Sequence, residues 1–189
     1  MIPEQPILVC DLGGTNARFA CFNNKGELED IRQYQCADYA GFADVFSQYL
    51  QDSAQTVTRA CVAVACPVTG DEIYLTNNQW RFSITQLKSH FQLDDLNVIN
   101  DFTAVAYGVT ELSQEQLAQI GGAEAVEGKP ISICGPGTGL GVAHLIPHGE
   151  EWISIPCEGG HVEFAPQDED EQFVLNHLKQ EFDHVSVER

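Results

Sequence analysis

Positive charge is scarce in this sequence. Four lysines and five arginines stand against 28 acidic residues, and the net charge is −19 over 189 residues. A chain this acidic repels nucleic acid and anionic membrane unless its basic residues cluster, and here they are scattered. No run approaches the roughly 18 apolar residues a membrane helix needs. The polar N-terminus, with Ile7–Cys10 as its first apolar run, offers no secretory h-region. No CxxC pair occurs among the seven cysteines, an odd number that argues against a disulfide framework. Cys10, Cys61, Cys66 and Cys134 sit in or beside apolar runs, where free cysteine behaves as a small buried hydrophobe. A reduced, cytoplasmic protein is expected. With 43% apolar and 20% charged residues, whole-chain disorder is excluded. There is no GxxxxGK[ST] loop either.

What is present is a glycine-rich turn that occurs twice. Ile7–Cys10 is closed by Asp11-Leu-Gly-Gly-Thr-Asn16 and followed by a second short run, Arg18–Phe22. The design recurs as Ile131–Cys134, Gly135–Gly141 and Val142–Ile146, with a third strand at Trp152–Ile155. Each reads as a β-hairpin, and two copies point to two related halves. Glycine permits close backbone approach and leaves N–H donors available, which a phosphate needs when Lys and Arg are few. Gly137-Thr-Gly-Leu-Gly141 is GxGxG followed by a strand, so a dinucleotide fingerprint is a poor fit. A plain hairpin remains the simpler alternative for either turn.

The rest alternates between helix and strand. Phe42, Val45, Phe46, Tyr49 and Leu50 have helical spacing, and Arg59–Cys66 reads as a buried strand. Ser83 with Gln86 forms a capping-box pattern before a short helix. Leu96–Ile99 is a strand, Phe102–Tyr107 a helix, and a further short helix is expected around Gln114–Ile120. In the last helix His177 is expected on the inner face with Phe173, Val174 and Leu178. The acidic run Asp168–Glu171 reads as a solvated helix entry rather than a cation site. The fold class is α/β with partly parallel sheets. A boundary near Thr110 separates residues 1–110 from 111–189.

Two polar constellations stand out. Asn100-Asp101 closes a strand and opens a helix, which places a carboxylate where α/β proteins bind ligands. Asp101 either takes a proton from a hydroxyl nucleophile or caps the helix. Glu158-Gly-Gly-His161 is a tight polar loop that either hydrogen-bonds a polyhydroxylated ligand or is a surface turn. One Glu and one His without a Cys pair are too few for zinc.

In this order the motifs resemble the bacterial glucokinase family, ATP-dependent hexokinase-like enzymes of the actin/sugar-kinase/Hsp70 superfamily. The matching segments are Asp11–Arg18, Ala65–Gly70, Thr76-Asn77 with Trp80, Ile99–Ala104, Gly121–Glu124, Val126–Pro130, Gly137–His144 and Glu158–Pro166. The resemblance implies a ribonuclease H-like, actin-like ATPase fold, with a smaller domain and a truncated larger one. Asp11, Gly13, Gly14 and Thr15 would form the first phosphate loop, with Asp11 near Mg2+. Gly137, Thr138 and Gly139 would form the second. Asn100, Asp101, Glu158, His161 and Glu188 would bind glucose, with Asp101 as general base on the 6-hydroxyl. ATP and Mg2+ would be the cofactors, with domain closure excluding water. The family is usually dimeric. Its members continue beyond Arg189, so this stretch alone is expected to lack the adenine site and to be inactive. Pro136 departs from the smaller residue usual there. The alternatives are a kinase for another hexose or amino sugar, disfavoured by the lack of a later cysteine cluster, and a non-enzymatic sugar sensor.

Overall fold

A computed structural model describes residues 5–75, 78–137 and 139–188. The chain forms two compact units, Met1–Ala104 and Val105–Arg189.

The first unit is built on a five-stranded mixed sheet. Its strands in sequence are β1 (Ile7–Leu12), β2 (Asn16–Phe22), β3 (Leu28–Gln35), β4 (Arg59–Val64) and, after a β5–β6 hairpin (Glu72–Tyr74, Arg81–Ser83), β7 (Asp95–Asn100). The spatial order is β3-β2-β1-β4-β7. β1 pairs antiparallel with β2 through the Gly13–Thr15 turn, and parallel with β4, which pairs parallel with β7. Alternation sends Leu8, Cys10 and Leu12 of β1 and Ala60, Val62 and Val64 of β4 to one face. There α1 (Phe42–Ser53) and α2 (Ile84–His90) supply Phe42, Val45, Phe46, Tyr49 and Leu87. Phe19 is the hub, with ring centroids 4.9 Å from Tyr49 and 6.1 Å from Phe42. Each such ring contributes about 1.5–3 kcal/mol by leaving water. Ser83 caps α2 by accepting the Gln86 amide at 3.1 Å.

β3 has no counterpart in the expectations from sequence. Its residues, Leu-Glu-Asp-Ile-Arg-Gln-Tyr-Gln, are mostly polar and half exposed because it is an edge strand. A register shift opposite Phe19 and Cys21, with Asp30 at φ 51°, breaks its periodicity.

The second unit takes up most of α3 (Asp101–Val109) and an antiparallel sheet of β8 (Ile131–Pro136), β9 (Leu140–His148) and β10 (Glu151–Cys157), in the order β10-β9-β8. Ile133, Ala143, Leu145, Leu175 and Val185 are its buried apolar residues, together with Ala106. The helix α4 (Glu169–Leu178) starts at Asp168, whose carboxylate accepts the Glu171 amide at 2.8 Å. Its first turn carries Glu169, Asp170 and Glu171, as the helix dipole favours.

Three expectations need correcting. The helix around Gln114–Ile120 is only a single 3-10 turn, Gln114–Gln116, closed by a Ser113–Gln116 capping box. Leu117 and Ile120 are exposed, so no apolar face is packed to sustain a helix. On α4 it is Leu175 that is buried, while Phe173, Val174 and His177 face solvent. Cys134 is exposed because Ile133 takes the inward position of β8. Cys10, Cys21, Cys36 and Cys66 are buried, and all seven cysteines are free. No helix among the described residues is long and apolar enough to cross a membrane.

Candidate functional site

In the first unit the site follows from strand register. β1, β4 and β7 run parallel, with Leu12 beside Val64 and Val64 beside Asn100. Their carboxyl ends therefore form one edge, where parallel α/β sheets present ligand-binding loops. The edge carries the Gly13–Thr15 turn, the segment from Ala65 and the Asn100-Asp101 junction. The Ala65 amide donates to the Leu12 carbonyl at 3.2 Å.

Asn100 is the better cap of α3. Its Oδ1 accepts the amides of Phe102 (2.9 Å) and Thr103 (3.2 Å). Its Nδ2 donates to the Cys66 carbonyl (3.3 Å) and to Asp101 Oδ1 (3.0 Å). The same Asp101 oxygen also accepts the Phe102 amide at 2.8 Å. Burial raises the Asp101 carboxyl above the ordinary Asp range; the Phe102 amide opposes this, and the Asp11 carboxylate adds to it. A carboxylate held in place and made more basic has the character of a general base.

Asp11 stands on β1 opposite Arg18 of β2. Arg18 Nη1 lies 3.0 Å from Asp11 Oδ2, and Arg18 Nε donates to Gln33 Oε1 at 3.2 Å. The partnership of Arg18 with Asp11 is missing from the expected site. The signal was available: two strands joined by a tight hairpin bring positions 11 and 18 opposite each other. Both side chains are about half exposed, which limits what the pair adds to stability.

In the second unit Glu158, His161 and Glu188 come together. His161 Nε2 lies 3.9 Å from Glu158 Oε2, and His161 Nδ1 lies 3.9 Å from Glu188 Oε2. A bridge between Glu163 and Ser186 draws the C-terminal segment alongside, and the Phe164 amide bonds the Val185 carbonyl at 2.9 Å. Glu188 then reaches the second glycine turn, where its Oε1 accepts the Leu140 amide at 2.9 Å. A Cβ on Gly160 would overlap the Leu140 backbone carbonyl as well as the Glu188 carboxylate, so glycine is required there, whereas one on Gly139 would meet only the end of the flexible Glu188 side chain. The Gly137 amide donates to the Gly139 carbonyl at 2.7 Å. Thr138 lies outside the described residues, as do Thr76, Asn77 and Arg189.

For a divalent cation, no group of three or more His, Cys, Asp or Glu among the described residues could hold one alone. Mg2+ entering on nucleotide phosphates needs only one or two carboxylates. Asp11 is a half-exposed carboxylate beside the first glycine turn, with Oδ2 engaged by Arg18 at 3.0 Å.

Comparison with known proteins identifies the family. The sequence model of the glucokinase family matches residues 8–189. The glucokinase of Photorhabdus laumondii is 50% identical over 183 residues, 96% of this chain and 57% of that protein. The crystal structure of a glucokinase from an Antarctic psychrotroph superposes with a TM-score of 0.86 at 36% identity, over 98% of this chain and 60% of that one. A ROK family glucokinase from Streptomyces griseus, solved with glucose and AMPPNP, shares the fold at TM-score 0.57 and 17% identity, over 85% of this chain and 51% of that one. The chain thus spans a little under three fifths of the length of the curated relatives it matches. By the family match and the identity to its curated relatives, this chain belongs to the glucokinase family.

Proposed function

We propose that this chain forms part of an ATP-dependent glucokinase that transfers the terminal phosphoryl group of ATP to the 6-hydroxyl of D-glucose. The observation that carries the reading is the shared carboxyl edge of β1, β4 and β7. It sets a glycine turn suited to phosphate in the same row of loops as a partly buried, more basic Asp101.

In the first unit Asp101 takes the proton of the sugar 6-hydroxyl, and Asn100 holds the Asp101 carboxylate; to bind the sugar as well, its carboxamide exchanges one of its four hydrogen bonds for a sugar hydroxyl. Gly13, Gly14 and Thr15 form the first phosphate loop, with the amides of Gly14 and Thr15 offered to phosphate while the Gly13 amide closes the hairpin on the Asn16 carbonyl, and Asp11 serves Mg2+. When bound, Mg2+ neutralises charge on the phosphates. In the second unit Gly137, Thr138 and Gly139 form a further phosphate loop, which makes the two hairpins functional repeats. Glu158, His161 and Glu188 bind sugar hydroxyls as acceptors, and His161 also as a donor. Phosphoryl transfer asks mainly for placement and charge neutralisation, and backbone amides meet that need in a chain of net charge −19.

The same reading makes residues 1–110 the smaller domain of an actin-like ATPase fold and 111–189 part of the larger one. On the family resemblance it takes the protein as a cytoplasmic homodimer without nucleic-acid or membrane partners. The test is calorimetric titration with glucose, mannose and N-acetylglucosamine, with and without ATP. Glucose is expected to bind most tightly, and preference for an amino sugar would overturn the assignment.

A further inference from the structure

The Gly13–Thr15 turn is fastened from one side. Cys36, which follows β3, donates to it twice: its thiol to the Gly13 carbonyl (Sγ···O 3.6 Å) and its amide to the Thr15 carbonyl (2.8 Å). Between these, Asn78 Nδ2 donates to the Gly14 carbonyl at 3.4 Å. Asn78 Oδ1 accepts the Trp80 amide at 2.8 Å, which settles which end of the carboxamide faces the turn. Three consecutive carbonyls are therefore held by two residues that are distant in sequence.

Peptide geometry converts this into an orientation of donors. In a trans peptide the carbonyl of one residue and the N–H of the next point in opposite directions, and no cis bond occurs among the described residues. Holding the Gly13 and Gly14 carbonyls toward Cys36 and Asn78 turns the Gly14 and Thr15 amides the other way. The Gly13 amide is already engaged within the hairpin by the Asn16 carbonyl at 2.9 Å.

We propose that Cys36 and Asn78 are positioning residues of the first phosphate loop, and that they preset the Gly14 and Thr15 amides to receive the oxygens of a polyphosphate. This rests on the phosphate-loop reading given above. Burial raises the Cys36 thiol, so it stays protonated and keeps the hydrogen it donates to Gly13. A serine could replace that donor and an alanine could not.

The test is a titration of the 15N-labelled 189-residue chain with tripolyphosphate in the presence of MgCl2. The readouts are the Gly14 and Thr15 amide shifts and the thermal midpoint of each variant. In the wild type both amides shift saturably. Cys36→Ala and Asn78→Ala each weaken tripolyphosphate binding by about three- to tenfold, one hydrogen bond's worth. Cys36→Ser keeps affinity within about twofold. A merely structural role would lower the thermal midpoint and leave affinity in the folded population untouched. Alanine variants that bind like the wild type would overturn the positioning role alone. A wild type whose Gly14 and Thr15 amides fail to respond would overturn the phosphate-loop reading and this inference with it.

Discussion

Glu188 and Leu140 are 48 positions apart, yet the Glu188 carboxylate accepts the Leu140 amide at 2.9 Å. Through this bond a residue of the expected sugar set is tied to the mouth of a glycine turn expected to hold phosphate. Glu188→Gln keeps an acceptor for the Leu140 amide and removes the charge. Its expected effect is little change in thermal stability and a loss of hexose affinity of about tenfold or more, since a hydrogen bond to a charged group is worth about 1.5–3 kcal/mol. Gly160→Ala should act on the fold instead. The new methyl would overlap Glu188 and the Leu140 carbonyl, at a cost of about 1–3 kcal/mol in urea unfolding.

Asn100 makes four hydrogen bonds across the β7–α3 junction. Asn100→Ala removes the cap and should destabilise the protein by about 1–2 kcal/mol. Asn100→Asp retains the accepting oxygen and so the cap, but loses the two Nδ2 donors and sets an oxygen against the Cys66 carbonyl and the Asp101 carboxylate, so it should be destabilising as well. It also adds a carboxylate beside Asp101, and the Asp101 carboxyl should then titrate higher still. Urea denaturation checks the first outcome and carbon-detected NMR titration the second.

The pH dependence of Asp101 follows from its surroundings. Burial first, and the Asp11 carboxylate as well, raise its carboxyl above the ordinary value of about 3.9. Because the folded value is the higher one, its contribution to stability is present below the ordinary value and lost as pH rises through the folded one. Asp101→Asn should therefore stabilise the fold above that window. As a base, Asp101 loses its ionised form when pH falls through the raised value, so the acid limb of kcat/KM should lie above the ordinary Asp range. Asp11→Asn should lower the Asp101 value measured by NMR, and an unchanged value would remove Asp11 as a cause.

Thiol labelling tests the burial pattern. Cys134 is exposed, whereas Cys10, Cys36 and Cys66 are buried with their thiols raised chiefly by desolvation. Iodoacetamide at neutral pH should modify Cys134 well before these three, as peptide mass mapping would show. Early labelling of Cys36 would contradict its packing behind the glycine turn.

Those features written in local pattern were legible in the sequence. Leu96–Ile99 followed by Asn100-Asp101 marks a strand end and a helix start, and α1 declares itself through Phe42, Val45, Phe46 and Tyr49. β3 was hidden because an edge strand satisfies itself with polar residues, and its bulge at Asp30 scrambles the alternation. On α4 the apolar residues mislead, since Phe173 and Val174 face solvent and Leu175 is the one buried. The Asn78–Gly14 and Glu188–Leu140 contacts depend on segments 64 and 48 positions apart, and short-range spacing carries no record of them. The pairing of Arg18 with Asp11 lay within reach, as a hairpin register fixes it.

The central claim is that Asp101 is the base of an ATP-dependent glucose kinase. It is tested most directly by glucose 6-phosphate formation from ATP, measured on the protein at the length of its curated relatives, as wild type and as Asp101→Asn. General-base catalysis contributes about 10²–10⁴-fold. The expected result is turnover by the wild type and a loss of that order in kcat for the variant, with its fold intact. A folded Asp101→Asn protein that phosphorylates glucose within a few-fold of the wild-type rate would contradict the account.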